Sequence, residues 1–181
     1  MKNECLIIID MQKDFVDGAL GTKEAEAIVP AVIKAAEGFG GKLIFTADTH
    51  NESYLNTMEG KLLPVPHCIK GTEGHMLIPE LEKIKNKKNA KLYEKPTFGS
   101  EALSADLKRE NEKEPFSAIY IAGLCTDICV ISNALFIKAA LPETPIYVLK
   151  DCCAGVTPEK HNAALSVMES CHIILKESKD L

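Results

Sequence analysis

The sequence lacks the features of membrane proteins and nucleic-acid-binding proteins. No apolar run approaches the roughly 20 residues that a helix needs to span a bilayer. The net charge is −5, and no block of like charge is long enough to form a tail. The densest basic run, 83–91, has no interleaved aromatic residues and is typical of a solvated helix end. We therefore expect neither a membrane nor a nucleic acid as a partner.

Motifs for nucleotides, structural zinc and secretion are also missing. There is no Gly-x-Gly-x-x-Gly and no phosphate-binding glycine loop, which disfavours a dinucleotide fold. No pair of Cys-x-x-Cys motifs is present, which disfavours a structural zinc site. The chain opens on a strand-like run without a signal-peptide pattern, and its seven cysteines are an odd number. Free thiols in a reducing cytoplasm are therefore expected.

The order of apolar segments predicts the fold class. The chain has 181 residues without a repeat or linker, so one domain, 1–181, is expected. Strand-like runs alternate with helical patterns, which predicts an α/β fold with a parallel sheet covered on both faces. The predicted strands are 5–9, 42–47, 90–93, 119–122, 145–149 and 172–175. The predicted helices are 25 or 28 to 37 (with Pro30 in the first turn), 79–85, 101–110, 130–139 and 158–170.

The stretch 119–130 predicts a strand, a tight turn and a helix. Thr126 and Asp127 are favoured N-cap types, which places Cys129 in the first helical turn. Backbone N–H groups and the helix dipole would favour a thiolate there. The alternative is that Cys129 is a small buried apolar residue, as most free cysteines are. Taken alone, the stretch favours this alternative.

Polar residues follow several predicted strands at the point where each ends. Asp10, Asp48, His50, Lys95 and Cys129 all lie there, and the carboxyl ends of parallel strands share one edge of the sheet. A thiol can act as a nucleophile, a carboxylate can take its proton, and an ammonium can stabilise the negative charge. The convergence therefore predicts a cysteine nucleophile with an acid–base partner.

A metal site is predicted at the same edge. Asp48-Thr49-His50 places two metal-binding side chains on one side of an extended segment. The long loop 51–74, of a length that is usually functional, adds His67 and Glu59, the latter binding directly or through water. Two histidines with carboxylates suit one divalent ion, Zn, Mn or Fe. The other histidines have no such context and are interpreted as structural: His75, His161 and His172.

Four segments occur in an order typical of one family: 8–15 (IIDMQKDF), 48–50 (DTH), 94–96 (EKP) and 123–130 (GLCTDICV). Taken together, they resemble the isochorismatase-like cysteine hydrolases, with the nearest similarity to the nicotinamidases, also called pyrazinamidases. The resemblance runs from Leu6 to about Leu175. It implies a three-layer α/β/α domain with a six-stranded parallel sheet and a catalytic triad of Asp10, Lys95 and Cys129.

The resemblance also implies the surroundings of the triad. It implies a cis peptide bond at Leu124–Cys125 and an oxyanion hole formed by the backbone N–H groups of Cys125 and Cys129. It implies that Asp48, His50 and His67 hold the metal, with Glu59 as an extra carboxylate. The expected substrate-binding residues are Phe15, Leu63 and Phe98. Position 125 departs from the family, in which Ala is common.

The expected activity is hydrolysis of nicotinamide to nicotinate and ammonia through a cysteine thioester, with a metal ion, Zn first, binding the pyridine nitrogen. A small-molecule amide is thus the expected partner, and a homo-oligomer is expected. One alternative is a related hydrolase acting on another small amide or carbamoyl compound. Others are a non-haem iron oxygenase, using Asp48, His50 and His67 as a facial triad, and a non-catalytic metal-binding protein.

Overall fold

A six-stranded, all-parallel sheet forms the centre of the molecule. The computed structural model describes residues 3–181. The strand order is β3-β2-β1-β4-β5-β6, which confirms the predicted α/β class. The strands are β1 (Glu4–Ile9), β2 (Lys42–Asp48), β3 (Lys91–Lys95), β4 (Ala118–Leu124), β5 (Ile146–Ala154) and β6 (Ile174–Lys176). The helices are α1 (Lys13–Val16), α2 (Lys23–Gly38), α3 (Met58–Leu62), α4 (Pro79–Lys87), α5 (Glu101–Lys113), α6 (Ile131–Ala140) and α7 (Pro158–Ser170).

Helices cover both faces of the sheet. Along β1, Leu6 and Ile8 pack into one apolar cluster while Ile7 and Ile9 pack into another, as the alternation of a strand requires. The first cluster contains buried residues of α2 and α4, and the second contains buried residues of α5, α6 and α7. This arrangement gives the expected three layers.

Two unusual backbone conformations lie where β1 and β4 end. Gly123 has a φ of +123°, and a Cβ there would come within 2.0 Å of the Ile9 carbonyl oxygen. Only glycine fits this close approach. Asp10 has a φ of +46°, which is uncommon for a residue with a side chain. The peptide bond Leu124–Cys125 is cis, as the resemblance implies.

Several predicted boundaries were wrong by two or more residues, and for two of them, the start of α2 and the end of β5, the structure shows the cause. Helix α2 begins at Lys23, because Thr22 accepts a hydrogen bond from the Ala25 N–H and caps it. Pro30 therefore lies inside the helix and not in its first turn. Strand β5 continues through Lys150 and Asp151 to Ala154. These two polar residues do not end the strand, because they bind Glu177 and Ser178 near the C-terminus.

The segments next to the predicted site are more ordered than expected. The loop 51–74 contains a 3₁₀ turn (Tyr54–Asn56) and the short helix α3. Cys129 lies in a π-helical turn (Thr126–Val130) that precedes α6, not in a regular first helical turn. Within 3–181, the structure has no helix of the length and apolarity needed to cross a membrane.

Candidate active site and metal cluster

Lys95 occupies the centre of a buried polar site. It is the last residue of β3 and only 1% exposed. Its Nζ lies 2.6 Å from Asp10 Oδ2 and 3.5 Å from Cys129 Sγ. The same ammonium donates a hydrogen bond to the Thr97 carbonyl oxygen at 3.1 Å. Asp10 and Cys129, which are far apart in the chain, therefore both contact the Lys95 ammonium.

The Asp10 carboxylate is fixed by neighbouring strands. Thr46, in β2, donates its hydroxyl to Asp10 Oδ1 at 2.6 Å and accepts the Asp10 backbone N–H at 3.2 Å. Lys95, in β3, contacts the other carboxylate oxygen. Contacts to both oxygens thus hold the orientation of the Asp10 carboxylate, which is fully buried. The sequence did not single out Thr46, whose only signal is a hydroxyl in an otherwise apolar strand.

Burial, with the charge of Asp10, favours the protonated form of the Cys129 thiol. Burial raises the pKa of the Cys129 thiol, the charge of Asp10 raises it further, and Lys95 acts in the opposite direction. Burial also raises the pKa of Asp10. Burial, the largest single effect, would lower the pKa of Lys95, but the charges of Asp10, Cys129 and Asp48 together with the hydrogen bond to Asp10 raise it. The predicted thiolate at a helix N-terminus was therefore wrong, because desolvation dominates.

Four predicted metal-binding side chains come together beside this site. We call Asp48, His50, Glu59 and His67 the metal cluster; its ligand atoms lie within 4.8 Å of one another. Asp48 Oδ2 is 2.9 Å from His50 Nε2 and 3.5 Å from His67 Nε2. Glu59 Oε1 is 3.6 Å from the first imidazole and 3.8 Å from the second.

The metal cluster fits a divalent ion. Ligands about 2.1 Å from a tetrahedral ion lie about 3.4 Å apart, close to the distances found here. His67 Nδ1 donates to the Val65 carbonyl oxygen at 2.8 Å, which leaves Nε2 free for an ion. Asp48 divides its two oxygens between the two sites: Oδ1 lies 3.6 Å from the Lys95 ammonium, and Oδ2 faces both imidazoles. Oδ2 is therefore the oxygen placed to bind an ion together with the histidines.

Gln12 positions the metal cluster, and sequence reasoning missed it. Its amide group donates to the Asp48 carbonyl oxygen at 2.8 Å and accepts the Asp48 N–H at 2.7 Å. It also donates to the His75 carbonyl oxygen at 2.9 Å. Gln12 is fully buried. The available signal was an amide side chain just after a central strand.

Asn133, in α6, was also missed. Its Nδ2 donates to the carbonyl oxygens of Cys129, at 2.8 Å, and Phe98, at 3.0 Å. Its Oδ1 accepts the Ser100 N–H at 2.9 Å. A single buried amide therefore joins the turn that carries Cys129 to the loop that follows β3.

A cavity of about 610 Å³ is lined by Cys129 and by three members of the metal cluster, Asp48, Glu59 and His67. Three of its walls are the residues expected to contact substrate, Phe15, Leu63 and Phe98. Both residues of the expected oxyanion hole, Cys125 and Cys129, line it as well. The remaining lining residues are Leu20, Thr22, Met58, Leu62, Thr97, Leu124, Ile128, Gly155, Val156 and Lys160.

The sequence and the structure are similar to those of known proteins. Residues 4–178 match the Isochorismatase domain family. The crystal structure of a nicotinamidase/pyrazinamidase from Bacillus subtilis is 31% identical, with a TM-score of 0.83. That similarity covers 98% of this chain and 100% of the other.

Two further similarities concern the metal and the activity. A pyrazinamidase of Pyrococcus horikoshii, solved in complex with zinc, is 27% identical, with a TM-score of 0.78, over 97% of this chain and 99% of the other. An Arabidopsis thaliana protein described as a probable inactive nicotinamidase is 30% identical, over 93% of this chain and 89% of its own length. The similar proteins therefore include one described as inactive.

Proposed function

This chain belongs to the isochorismatase domain family and is an amidase, and we propose that it hydrolyses nicotinamide to nicotinate and ammonia. The observation that carries the proposal is the contact of one buried lysine with both a carboxylate and a thiol, beside a cluster of metal-binding side chains. A cysteine nucleophile needs a base close to it, and here Asp10 provides one.

The first chemical step uses Asp10 as a base. Asp10 takes the proton from Cys129 Sγ, and the sulfur attacks the carboxamide carbon. The backbone N–H groups of Cys125 and Cys129 hold the developing oxyanion; one such donor typically contributes roughly 10²–10³ in rate. Asp10 returns the proton to the carboxamide nitrogen, the C–N bond breaks, and ammonia departs. The acyl group stays on Cys129 as a thioester.

The second step is hydrolysis of the thioester. A water molecule gives a proton to Asp10 and attacks the carbonyl carbon. The C–S bond then breaks, Asp10 returns that proton to Cys129 Sγ, and nicotinic acid leaves and loses its proton to solvent as nicotinate. Lys95 stays protonated throughout and stabilises whichever of Asp10 and Cys129 carries negative charge. The raised pKa of the Cys129 thiol supports this order, because the proton is removed only when Asp10 accepts it.

The metal cluster supports recognition of a pyridine ring. We propose that Asp48, His50, Glu59 and His67 hold one divalent ion, zinc first, and that a bound ion supplies a ligand position for the ring nitrogen. Phe15 lies 5.5 Å, centroid to centroid, from the His67 ring. With Leu63 and Phe98 it would enclose the substrate ring.

The test is ammonia release from nicotinamide by the zinc-loaded protein. We expect Cys129→Ala to abolish release, because no other thiol contacts Lys95 in the described residues. The matched control is Cys171→Ala, which removes an exposed cysteine and should retain full activity. Equal activity of the Cys129 variant and wild type would contradict the role of this thiol.

A panel of substrates separates the alternatives. A related amidase would release ammonia faster from another small amide or carbamoyl compound than from nicotinamide. An oxygenase would consume oxygen, and it would leave Cys129 and Lys95 without a function. A non-catalytic protein would bind zinc and release no ammonia from any compound. The expected homo-oligomer, cytoplasmic location and single domain stay predictions.

A further inference from the structure

The cavity is larger than the proposed substrate requires. Its volume is about 610 Å³, whereas a cavity of about 150 Å³ accommodates a benzene ring. A pyridine ring with its carboxamide would therefore fill less than half of the space. The lining of the remaining space determines what else could bind.

The solvent-open part of the cavity has exposed apolar residues in its lining, together with one exposed charged residue, Lys160. Met58, Leu62 and Val156 line it and have exposed fractions of 72%, 80% and 40%. Leu20, which is half-buried, lines the same region. We call these four apolar residues the outer subsite. Exposed apolar side chains that line a cavity mark a binding surface, and these line the same cavity as Cys129.

The carboxylates and the imidazole of the lining, those of Asp48, Glu59 and His67, all belong to the metal cluster. In the metal cluster, Asp48, His50 and His67 are at most 9% exposed and Glu59 is half-buried. Cys129 is 4% exposed. A substrate amide held at Cys129, with its ring nitrogen held at the metal cluster, would leave the ring edge facing the outer subsite. That edge meets aliphatic side chains, which favour an apolar group.

We propose that the outer subsite binds an apolar substituent on the ring of the amide substrate. The inference rests on the proposed function, since the substituent reaches the outer subsite only when the carboxamide lies at Cys129. Each methylene group transferred from water to an apolar wall strengthens binding about fourfold. Ring-alkylated pyridine carboxamides are therefore bound more tightly than nicotinamide itself.

The test measures binding to the zinc-loaded Cys129→Ala protein by calorimetry. The probes are nicotinamide and its ring-butylated isomers that keep a free ring nitrogen. Because the outer subsite is open to solvent, only part of the butyl group leaves water, and we expect at least one isomer to bind about tenfold more tightly than nicotinamide. Adding Leu62→Ser should reduce this preference about fivefold. The matched control, Leu55→Ser, changes a residue that is 49% exposed but does not line the cavity, and should leave the preference unchanged.

Equal or weaker binding of every butyl isomer would overturn the outer subsite, as would a preference that Leu62→Ser does not alter. The competing occupant is a second copy of the chain. Conversion of a dimer to a monomer by Leu62→Ser, measured by light scattering, would assign the surface to that interface instead. Binding to Cys129→Ala needs no turnover, so a retained preference without ammonia release from wild type would reject the proposed activity alone.

Discussion

Lys95 determines how the buried charges of the site are balanced. Its ammonium lies within 3.6 Å of the carboxylates of both Asp10 and Asp48. All three side chains are at most 3% exposed. Because a buried charge without a partner is costly, the lysine stabilises the fold as well as the proposed reaction.

We expect Lys95→Met to impair both properties. The free energy of unfolding, measured in urea, should fall by about 3–5 kcal/mol, because Asp10 would be left buried without its cation. Turnover of nicotinamide should fall by on the order of 10² or more, since the thiolate would lose its stabilising charge. The matched control is Lys91→Met on the same strand, where the lysine is 56% exposed and the cost should stay below about 1 kcal/mol.

A double variant separates stability from chemistry. Asp10→Asn with Lys95→Met removes both charges, and it should recover part of the lost stability without recovering activity. If the double variant recovers none of the lost stability, packing, and not charge, determines how Lys95 stabilises the fold.

Sequence reasoning reached the reactive residues at this scale but not their supports. Asp10, Asp48 and Lys95 stand out because they are ionisable side chains that follow apolar strands. Glu59 and His67 stand out because they lie in a long loop after Asp48-Thr49-His50. Thr46, Gln12 and Asn133 carry no such signal, since hydroxyl and amide side chains are common anywhere. Their importance depends on burial, which only the packed structure reveals.

At the scale of elements, helix α7 fixes the turn that carries the nucleophile. Thr126 Oγ1 lies 2.8 Å from His161 Nδ1, and Asp127 accepts the Val156 N–H at 2.9 Å. Thr126 is fully buried, and burial lowers the pKa of His161, which favours the neutral ring. The sequence analysis interpreted His161 as structural. Its contact with Thr126 indicates what that structural role is: His161 orients the turn that carries Cys129.

His161→Phe should therefore lower kcat for nicotinamide about tenfold while KM changes little, because the ring lies outside the cavity lining. His161→Asn places a side-chain amide near the Nδ1 position and should recover most of kcat. Equal losses in the two variants, or a change in unfolding free energy alone, would contradict an orienting role.

Helix α5 is attached to β3 by one carboxylate. Asp106 accepts hydrogen bonds from Lys91 Nζ and from the Tyr93 hydroxyl, both at 2.7 Å. The Lys91 hydrogen bond, then that of Tyr93, lowers the pKa of Asp106 from 3.8 to about 2. The unfolded chain therefore binds the proton more readily, so the stabilisation is present above about pH 4 and is lost as the pH falls to about 2.

The pH dependence can be measured with Asp106→Asn. In urea unfolding, the wild type should exceed the variant by about 1 kcal/mol near neutral pH, since the carboxylate is partly exposed. The difference should shrink between about pH 4 and pH 2. A difference that is constant across this range would show that the ionised form is not what stabilises the contact.

For the whole molecule, the sequence predicted the layers and the meeting point of the site, but not the enclosure of the site. Parallel strands place their carboxyl ends on one edge, so Asp48, Lys95 and Cys129 could be brought together before any coordinates. The segment 51–74 could not be predicted in this way. Its 3₁₀ turn and helix α3 depend on contacts such as those of the Tyr54 ring with the rings of His50 and His67. No apolar periodicity in the sequence indicates such contacts.

The metal cluster spans this segment, so an ion should stabilise the molecule as a whole. Asp48 ends β2, Glu59 lies in α3 and His67 lies beyond it. An ion that binds the folded chain at 100 times its Kd adds about 2.7 kcal/mol. In a chain of this size that corresponds to a rise in Tm of about 5–10 °C on adding Zn²⁺ to chelator-treated protein.

His67→Ala should remove most of this zinc-induced rise, because it takes away one ligand. His75→Ala is the matched control: its imidazole contacts Thr49 and is not in the metal cluster, so its own rise should persist even if its baseline Tm differs. The measured quantity is the difference in Tm with and without zinc, which is independent of turnover. An equal rise in the two variants would place the ion elsewhere and would remove the ring-nitrogen contact from the proposed function.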